Sequence, residues 1–269
     1  MSNILQEIVE HKKGEVQAAK AATPEADLIR QAEDMPVPRN FFAALTRPTG
    51  ELRVIAEVKR ASPSAGLIRE DFDPVAIAQA YADNGAAAIS CLTDAKYFQG
   101  SLDYLRQIKS AVSLPVLRKD FIIDPYQIYE ARAAGADAVL LIAECLTEPL
   151  LMDLLILASE LKLTTLLEVH DLESLVQIKR HLTFPRAGYT LLGINNRNLR
   201  TMTTDLAHTT GILHEVPDKS VLVSESGIRT HEDIKHLAKH NVHRVLVGEH
   251  LMRQPDPGKA LSELMNGAE

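Results

Sequence analysis

The chain has 269 residues, of which 46% are hydrophobic and 24% are charged, with 13 glycines and 13 prolines. This composition excludes a disordered, collagen-like or low-complexity protein, and the length suits one large barrel-type domain. The formal net charge of -7, from 29 basic and 36 acidic residues, argues against nucleic acid as a partner, because binding to a phosphate backbone by counterion release needs a basic surface.

The first fifteen residues, MSNILQEIVEHKKGE, predict neither a secretory signal nor an organellar transit peptide, because their early acids and interrupted apolar positions fit neither pattern. No apolar run reaches the length that a bilayer span requires. Cys91 and Cys145 both lie in strongly apolar segments, and two such thiols are typical of a reducing compartment. We therefore expect a cytoplasmic protein without a membrane partner.

Residues 1–45 carry apolar side chains at helical spacing, first Ile4, Ile8 and Val9, then Leu28 and Ile29. They precede the first predicted strand, so we expect extra helices that cap one end of the fold. Two roles stay open for this extension: an inert plug at the bottom, or a lid or wall of a functional site. The predicted organisation is one domain over 1–269, with the helical extension over 1–45 and a barrel over 46–269.

A short apolar, β-branched run followed by a polar turn and a helical pattern recurs at intervals of roughly 23 to 33 residues. The eight runs are Arg53–Lys59, Ala86–Thr93, Leu114–Lys119, Asp137–Ala143, Thr164–Val169, Tyr189–Asn195, Val221–Glu225 and Arg244–Gly248. Their nearly continuous apolar character requires cover on both faces, and eight strand-helix units close most naturally into a (β/α)8 TIM barrel. An open doubly wound sheet is the alternative, but no Gly-x-Gly-x-x-Gly turn follows the first strand.

Two helices between these strands have clear start and stop signals. The segments Asp73–Gly85 and Asp124–Gly135 each begin with Asp-Pro and end with glycine. Asp caps free N–H groups, Pro at the first helical position loses no hydrogen bond, and Gly adopts the left-handed conformation at a helix end. The spacing therefore predicts one helix within each segment.

Chemistry in such a barrel lies at the C-terminal ends of the strands, and alternate side chains point inward. This alternation predicts that five strands end in inward-facing ionisable or amide groups. They are Glu57, Lys59, Lys119, Glu168, Asn195, Arg197 and Glu225. Any one of them alone could form a structural ion pair, but buried charge costs several kcal/mol unless it is paired or hydrated. Recurrence on five strands therefore favours a functional site.

The predicted cluster contains three cations and three carboxylates but no His, Cys or Ser-His pair, which disfavours a hydrolase triad. Interleaved cations would repel a metal, so we expect a metal-free acid/base site. Positive charge gathered in an acidic protein favours a small anionic substrate. A lysine suits the role of proton donor when burial and neighbouring cations lower its pKa, which we expect here.

The loops after the seventh and eighth predicted strands contain Gly227 and Gly248. Barrels commonly bind phosphate at these loops, through backbone N–H groups and a short helix N-terminus. Phe98 and Phe121 follow the second and third strands, where they either pack in the core or face a substrate ring, and Phe121 is the better candidate for the ring. His236 and His240 have metal-ligand spacing, but we expect them on an exposed helix face.

Six segments carry a family resemblance: IAEVKRASPSAG (55–66), LTDAKYFQGS (92–101), LPVLRKDFI (114–122), LLEVH (166–170), LLGINNRNL (191–199) and VSESGI (223–228). Together they closely resemble the indole-3-glycerol phosphate synthase family of tryptophan biosynthesis, with matches from about residue 40 to residue 252. The resemblance implies a (β/α)8 lyase without a cofactor. It would convert 1-(2-carboxyphenylamino)-1-deoxyribulose 5-phosphate to indole-3-glycerol phosphate, carbon dioxide and water.

The resemblance also implies roles for four catalytic residues. Lys119 would protonate the ribulose carbonyl oxygen, and Glu168 would be the base of the dehydration. Lys59 would be an anion anchor or a second acid, and Glu57 would position Lys119 and the developing ring cation. The implied substrate-binding residues are Ser62, Phe98, Phe121, Asn195, Arg197, Glu225 and Ser226. The implied phosphate-binding residues are Gly227, Gly248 and Glu249, through backbone N–H groups.

Two positions depart from the family pattern. Glu249 and His250 stand where small hydroxyl residues are common, so we expect no side-chain hydroxyl contact to phosphate there. The chain has no tryptophan. We therefore expect Phe98, Phe121 or an aliphatic residue such as Leu199 to form the wall of the pocket that faces the substrate ring.

Three alternative functions stay open: an aldolase barrel that forms a Schiff base through Lys119 or Lys59, a sugar isomerase barrel such as phosphoribosylanthranilate isomerase, and a phosphate-binding regulatory barrel. The extension and the paired lysines disfavour the isomerase. The regulatory barrel is disfavoured by the joint presence of Glu57, Lys59, Lys119, Glu168 and Glu225. We expect a monofunctional chain that works as a monomer or a weak homo-oligomer.

Overall fold

The computed structural model describes residues 3–198, 201 and 203–267. Its strands are β1 (Arg53–Val58), β2 (Ala61–Ser62), β3 (Gly66–Leu67), β4 (Ala88–Leu92), β5 (Val116–Lys119), β6 (Ala138–Ile142), β7 (Thr164–Val169), β8 (Thr190–Asn195), β9 (Leu222–Glu225) and β10 (Arg244–Val247). β1 and β4 to β10 pair in parallel and in chain order, and β1 closes the ring because it pairs with both β4 and β10. The predicted (β/α)8 barrel is confirmed. The antiparallel β2–β3 hairpin, which the sequence did not predict, lies in the loop after β1.

The helices are α1 (Asn3–Ala22), α2 (Glu25–Asp34), α3 (Phe41–Thr46), α4 (Pro74–Asp83), α5 (Ala95–Phe98), α6 (Leu102–Ala111), α7 (Pro125–Ala133), α8 (Glu148–Glu160), α9 (Leu172–Ile178), α10 (Ala207–Ile212), α11 (His231–Lys239), α12 (Glu249–Met252) and α13 (Pro257–Asn266). Short 3-10 turns span Ala143–Cys145, Lys179–His181, Leu213–Glu215 and Lys219–Val221. Within the described ranges, no helix combines the length and apolarity needed to cross a membrane.

The two predicted helices form as their end signals require. Asp73 caps α4 by accepting from the backbone N–H groups of the first turn, and Asp124 caps α7 in the same way. Gly85 and Gly135 follow the two helices with φ of 92° and 89°. These values lie in the left-handed region, which favours glycine.

Strand alternation divides the apolar residues into two cores. On β1, Ile55 points into the barrel, where it packs with Leu117, Leu166 and the other inward residues. Val54 and Val58 on the same strand point outward and pack against the surrounding helices. The inward residues fill the lower part of the barrel, and a cavity opens at its upper end, at the C-terminal ends of the strands. We call this end the mouth.

The N-terminal extension fills both roles that the sequence left open, with a different helix for each. α3 closes the bottom, where Phe41 and Leu45 pack with the inward residues and the Leu45 carbonyl accepts from Arg244 Nε at 2.9 Å. α1 lies beside the mouth, where the Lys12 Nζ is 2.8 Å from Asp94 Oδ2 and 3.0 Å from Asp120 Oδ1. The extension is therefore both the bottom plug and a wall of the mouth.

Candidate active site

Three charged side chains from three strands meet inside the barrel at its mouth. Lys119 ends β5, Glu168 lies on β7 and Glu225 ends β9. The Lys119 Nζ lies 3.0 Å from Glu168 Oε2 and 3.5 Å from Glu225 Oε2. The three side chains are only 14%, 3% and 2% exposed, so bulk water screens their charges little. The structure thus brings these three predicted residues together.

Because the three charges lie so close together, the pKa values of the two glutamates shift in opposite directions. Burial would lower the pKa of Lys119, but Glu168 and Glu225 outweigh burial and raise it. Burial would raise the pKa of Glu168, but Lys119 and His170 outweigh burial and lower it to about 2. Burial and the charge of Glu168 raise the pKa of Glu225 well above its ordinary value. The expectation of a lowered lysine pKa was therefore wrong, because carboxylates rather than cations surround Lys119.

A second pair lies on β1 and in the loop that follows it. The Lys59 Nζ lies 2.7 Å from Glu57 Oε1, and the Ser90 hydroxyl donates to Glu57 Oε2 at 3.4 Å. Burial would raise the pKa of Glu57, but Lys59 and Lys119 outweigh burial and lower it. Glu57 is therefore an ionised carboxylate between two lysines.

Two glycines leave the space that two of these carboxylates occupy. A Cβ on Gly248 would collide with Glu57 Oε1, and a Cβ on Gly193 would collide with Glu225 Oε1. Among the described residues, that same Glu225 oxygen has no hydrogen-bond partner. The sequence singled out Gly248 for phosphate alone, but its missing side chain also makes room for Glu57.

The cavity above these charges has an apolar end. Phe98 from α5 and Phe121 after β5 lie with ring centroids 6.1 Å apart, at an interplanar angle of 40°. The apolar residues that line the same cavity are Ile4, Leu5, Ile8, Leu92, Phe98, Phe121, Leu140 and Ile142. The first three belong to α1, so this helix forms the wall of the site that sequence analysis left open as one role of the extension. Leu199, the aliphatic candidate for this wall, lies outside the described residues.

The cationic end is a second cavity that adjoins the first, because Glu57, Lys59, Arg197, Ser226 and Leu246 line both. It lies at the loops after β1, β8, β9 and β10. Its basic residues are Lys59, Arg197, Arg229 and Arg253, and both predicted phosphate glycines, Gly227 and Gly248, line it. Glu249 faces two of these cations, with its carboxylate 3.3 Å from Arg197 Nη2 and 3.0 Å from Arg253 Nη2. The Glu249 side chain is therefore paired with arginines, which leaves its backbone N–H as the group that can face an anion.

The remaining predicted residues join the two ends. The apolar cavity is lined by Ser62, Asn195, Arg197 and Ser226. The last two of these residues also line the cationic end. The Asn195 Oδ1 accepts from the Arg197 N–H at 3.1 Å, and Arg197 also donates to the Ser64 hydroxyl. All predicted site residues except Glu249, Gly227 and Gly248 thus line one cavity, and those three line its cationic continuation.

Two residues of the mouth were missed by sequence analysis. The His170 Nε2 lies 3.3 Å from Glu168 Oε1, and its Nδ1 lies 3.2 Å from Glu144 Oε2. The expectation of a site without histidine was therefore wrong. Both residues continue the inward alternation, His170 two positions after Glu168 and Glu144 two positions after Ile142. That signal could have found them, but they lie beyond the apolar runs that marked the strands.

Comparison with known proteins points to one family. A family model described as indole-3-glycerol phosphate synthase matches residues 5–264. The indole-3-glycerol phosphate synthase of Rhodopirellula baltica is 53% identical over 253 residues, which cover 94% of this chain and 95% of the relative. That of Rhodospirillum rubrum is 47% identical over 267 residues, which cover 98% of this chain and 100% of the relative.

Solved structures share the barrel at much lower sequence identity. The 3-hexulose-6-phosphate synthase from Salmonella typhimurium gives a TM-score of 0.61 at 15% identity, over 80% of this chain and 98% of that chain. The thiamine phosphate pyrophosphorylase from Pyrococcus furiosus gives 0.56 at 16% identity, over 79% and 93%. At these identities the likeness shows the fold alone.

Proposed function

This chain belongs to the indole-3-glycerol phosphate synthase family, and from that membership we propose how its own residues carry out the reaction. Like its relatives, it is a carboxy-lyase of tryptophan biosynthesis that acts on a phosphorylated small molecule. The proposed substrate is 1-(2-carboxyphenylamino)-1-deoxyribulose 5-phosphate, and the proposed acid and base are Lys119 and Glu168.

One observation carries this assignment: a cavity with two aromatic rings adjoins a cationic cavity, Glu57 and Lys59 line both, and the buried acid/base cluster lines the first. The proposed substrate has the same order of groups, with an aromatic ring at one end, a ketone in the middle and a phosphate at the other. The ring would lie beside Phe98 and Phe121, and the phosphate near Gly227 and Gly248. The ketone would then lie near Lys119.

The first step is ring closure, in which the ring carbon that bears the carboxylate attacks the ketone carbon. Lys119 donates its proton to the ketone oxygen, which becomes a hydroxyl group, and the ring system becomes a cation. Glu57 is ionised and lies at the same mouth, so it stabilises that cation. Loss of carbon dioxide then returns an electron pair to the ring and removes its charge.

The second step is dehydration, which needs one acid and one base. The hydroxyl group takes a second proton and leaves as water, and Lys59 supplies this proton in our proposal. Glu168 takes a proton from the carbon next to nitrogen. Two protons are donated and one is taken up, and the net proton consumed matches the loss of a carboxylate as carbon dioxide.

The arrangement of Lys119 and Glu168 fits this order of steps, in which Lys119 donates a proton before Glu168 accepts one. A base whose pKa is about 2 accepts protons poorly, and that low value depends largely on the charge of Lys119. Once Lys119 has given up its proton, that charge is gone, so Glu168 becomes a stronger base for the dehydration. The separation of 3.0 Å then lets Glu168 return the proton to Lys119.

The raised pKa of Lys119 also favours an acid over a Schiff-base nucleophile. An amine attacks a carbonyl only in its neutral form, and the carboxylates around Lys119 stabilise the ammonium. We therefore expect no covalent adduct when borohydride is added to protein and substrate. Trapping of a reduced adduct on Lys119 or Lys59 would support the aldolase alternative.

The direct test is to mix purified protein with the proposed substrate and follow the indole fluorescence that appears on ring closure. The protein contains no tryptophan, so its background is low. We expect a signal in the wild type and a strongly reduced one in Lys119→Ala. Folded wild-type protein that binds the substrate but produces no signal would contradict the proposal.

We also propose that residues 1–269 work as one domain, with the extension over 1–45 and the barrel over 46–269. The burial of Lys12 against Asp94 and Asp120, and of Phe41 inside the barrel, supports this view. A monomer or weak homo-oligomer and a cytoplasmic location complete the proposal. Both cysteines are free, which suits a reducing compartment.

A further inference from the structure

Three side chains form a continuous chain of contacts behind the acid/base cluster. Glu144, in the turn after β6, accepts from the His170 backbone N–H at 2.7 Å, and its other oxygen lies 3.2 Å from His170 Nδ1. The second ring nitrogen, Nε2, lies 3.3 Å from Glu168 Oε1. The side chains of His170 and Glu144 are only 8% and 14% exposed. The imidazole is therefore fixed at both nitrogens and at its backbone.

These contacts place a different cationic side chain at each oxygen of Glu168. Lys119 Nζ lies 3.0 Å from Oε2, and His170 Nε2 lies 3.3 Å from Oε1. A carboxylate that is contacted on both oxygens has one preferred orientation. His170 and Lys119 therefore both fix the position of the Glu168 carboxylate.

We propose that Glu144 and His170 are positioning residues for Glu168, with Glu144 fixing the imidazole by hydrogen bonds and the imidazole lying as a charged neighbour against the oxygen of Glu168 that Lys119 does not contact. This inference rests on the proposed role of Glu168 as the base. Each ring nitrogen faces a carboxylate oxygen at 3.2–3.3 Å, an arrangement that favours the doubly protonated ring, so His170 acts as a cation.

The charges around the ring agree with this state. Burial and the charge of Lys119 from β5 would lower the pKa of His170, but the carboxylates of Glu144 and Glu168 outweigh them and raise it. When His170 loses its proton, one of its two nitrogens can no longer donate. Glu168 then loses its charged neighbour, and its orientation is less well fixed.

A purely structural role would have other consequences. If Glu144 and His170 only attached the Ala143–Cys145 turn to β7, their replacement would lower stability and leave the pH dependence of turnover unchanged. A positioning role changes kcat and its pH profile, with little change in KM, because the substrate contacts are intact.

The experiment compares Glu144→Gln, Glu144→Asp and His170→Asn with the wild type across pH 6 to 9. We expect Glu144→Gln to lower kcat by about 10-fold at pH 8 and by less at pH 6, with KM within about 3-fold, since outer partners of a site residue typically contribute on this scale. Glu144→Asp keeps the charge and should recover most of the loss. His170→Asn should lose about 10-fold throughout, without the pH dependence.

A matched control comes from the His181–Glu148 contact, which has the same residue types 3.3 Å apart and in which the glutamate is 56% exposed although the histidine is buried. Glu148→Gln should keep the wild-type kcat and pH profile. Nuclear magnetic resonance supplies a readout that needs no turnover. The His170 ring signal, identified by its absence in His170→Asn, should titrate at a lower pH in Glu144→Gln than in the wild type.

The outcomes separate this inference from the proposed function. Wild-type turnover with unchanged kcat profiles in Glu144→Gln and His170→Asn would overturn the positioning role alone. An unchanged titration of the His170 ring in Glu144→Gln would overturn it as well. Absence of turnover in the folded wild type would overturn the proposed function, and with it the role of Glu168 as a base.

Discussion

Two neighbouring residues of β5, Arg118 and Lys119, centre two buried groups of charges on opposite faces of the same strand. On the outer face, Arg118 Nη2 lies 3.1 Å from Asp120 and 2.7 Å from Glu130. Lys12 from α1 joins this outer group, 3.0 Å from Asp120. Burial would raise the pKa of Asp120, but Arg118 and Lys12 outweigh it and lower the pKa to about 2.

The inner group, around Lys119, is equally buried but is balanced differently. Glu168 and Glu225 share one lysine, so the pKa of the first is lowered and that of the second is raised. Glu225 Oε1 also has no hydrogen-bond partner in the described part of the chain. Burial and charge alone therefore do not distinguish a functional site from a structural one. Two neighbouring titratable groups whose pKa values shift in opposite directions, as here, are typical of a functional site.

The largest predicted effect is the loss of activity in Lys119→Ala. Turnover should fall by roughly 10² to 10⁴, because the proposed proton donor to the ketone oxygen is gone. Measurement of kcat by indole fluorescence checks this value, and Lys235→Ala, an exposed lysine on α11, serves as a control with wild-type turnover. A near-normal rate in Lys119→Ala would remove this lysine from the acid role.

In the outer group, we expect Arg118→Met to lower the stability of the fold rather than turnover. Removing one partner of a buried ion pair leaves uncompensated carboxylates, at a cost of about 3–5 kcal/mol in the free energy of unfolding. Urea unfolding measures this loss. Arg106→Met, which breaks an exposed pair with Asp103, should lose only about 0–1 kcal/mol. Similar losses in the two variants would refute the structural importance of the outer group.

The two inner glutamates should affect the pH dependence of stability with opposite signs. Glu225 has a raised pKa, so its contribution to stability is complete at low pH and is lost as pH rises through its folded-state pKa. Glu168 has a pKa of about 2, so its contribution is present above the pKa of the unfolded chain and is lost as pH falls toward 2.

Unfolding free energies across pH test this for Glu225→Gln and Glu168→Gln. The stability of the wild type relative to Glu225→Gln should decrease with rising pH. The stability relative to Glu168→Gln should decrease with falling pH. Slopes of the same sign in both comparisons would contradict the assigned protonation states.

The smallest predicted effect is in the apolar end of the cavity. Phe98→Leu keeps a side chain of similar size but removes an aromatic face, which contributes about 0.5–1.5 kcal/mol in ring pairs. KM should therefore rise by roughly 2- to 10-fold, with a smaller change in kcat. A larger loss in kcat than in KM would show that Phe98 acts on the chemistry rather than on binding.

Strand alternation explains how much of this arrangement could be read from the sequence. It placed Glu57, Lys119, Glu168 and Glu225 on the inner face, because the alternation is a property of the backbone. It could not identify which charges touch across the barrel, since that depends on the stagger of the strands and on side-chain conformation. The pKa of Lys119 was predicted in the wrong direction for this reason.

The N-terminal extension shows the same limit. Its apolar spacing predicted helices with a buried face but not what that face covers. α1 presents Ile4, Leu5 and Ile8 to the cavity, while α3 buries Phe41 below it. The two helices differ in role because the chain between them runs from the mouth to the bottom of the barrel. No local sequence pattern encodes that course.

The most direct test of the central claim is a crystal structure with an unreactive analogue of the substrate, in which the ketone is reduced to an alcohol. We predict the alcohol oxygen within about 3 Å of Lys119 Nζ, the normal hydrogen-bond distance, with the ring beside Phe121 and the phosphate between Gly227 and Gly248. A phosphate bound beside Lys119, or an alcohol oxygen outside its reach, would contradict the account.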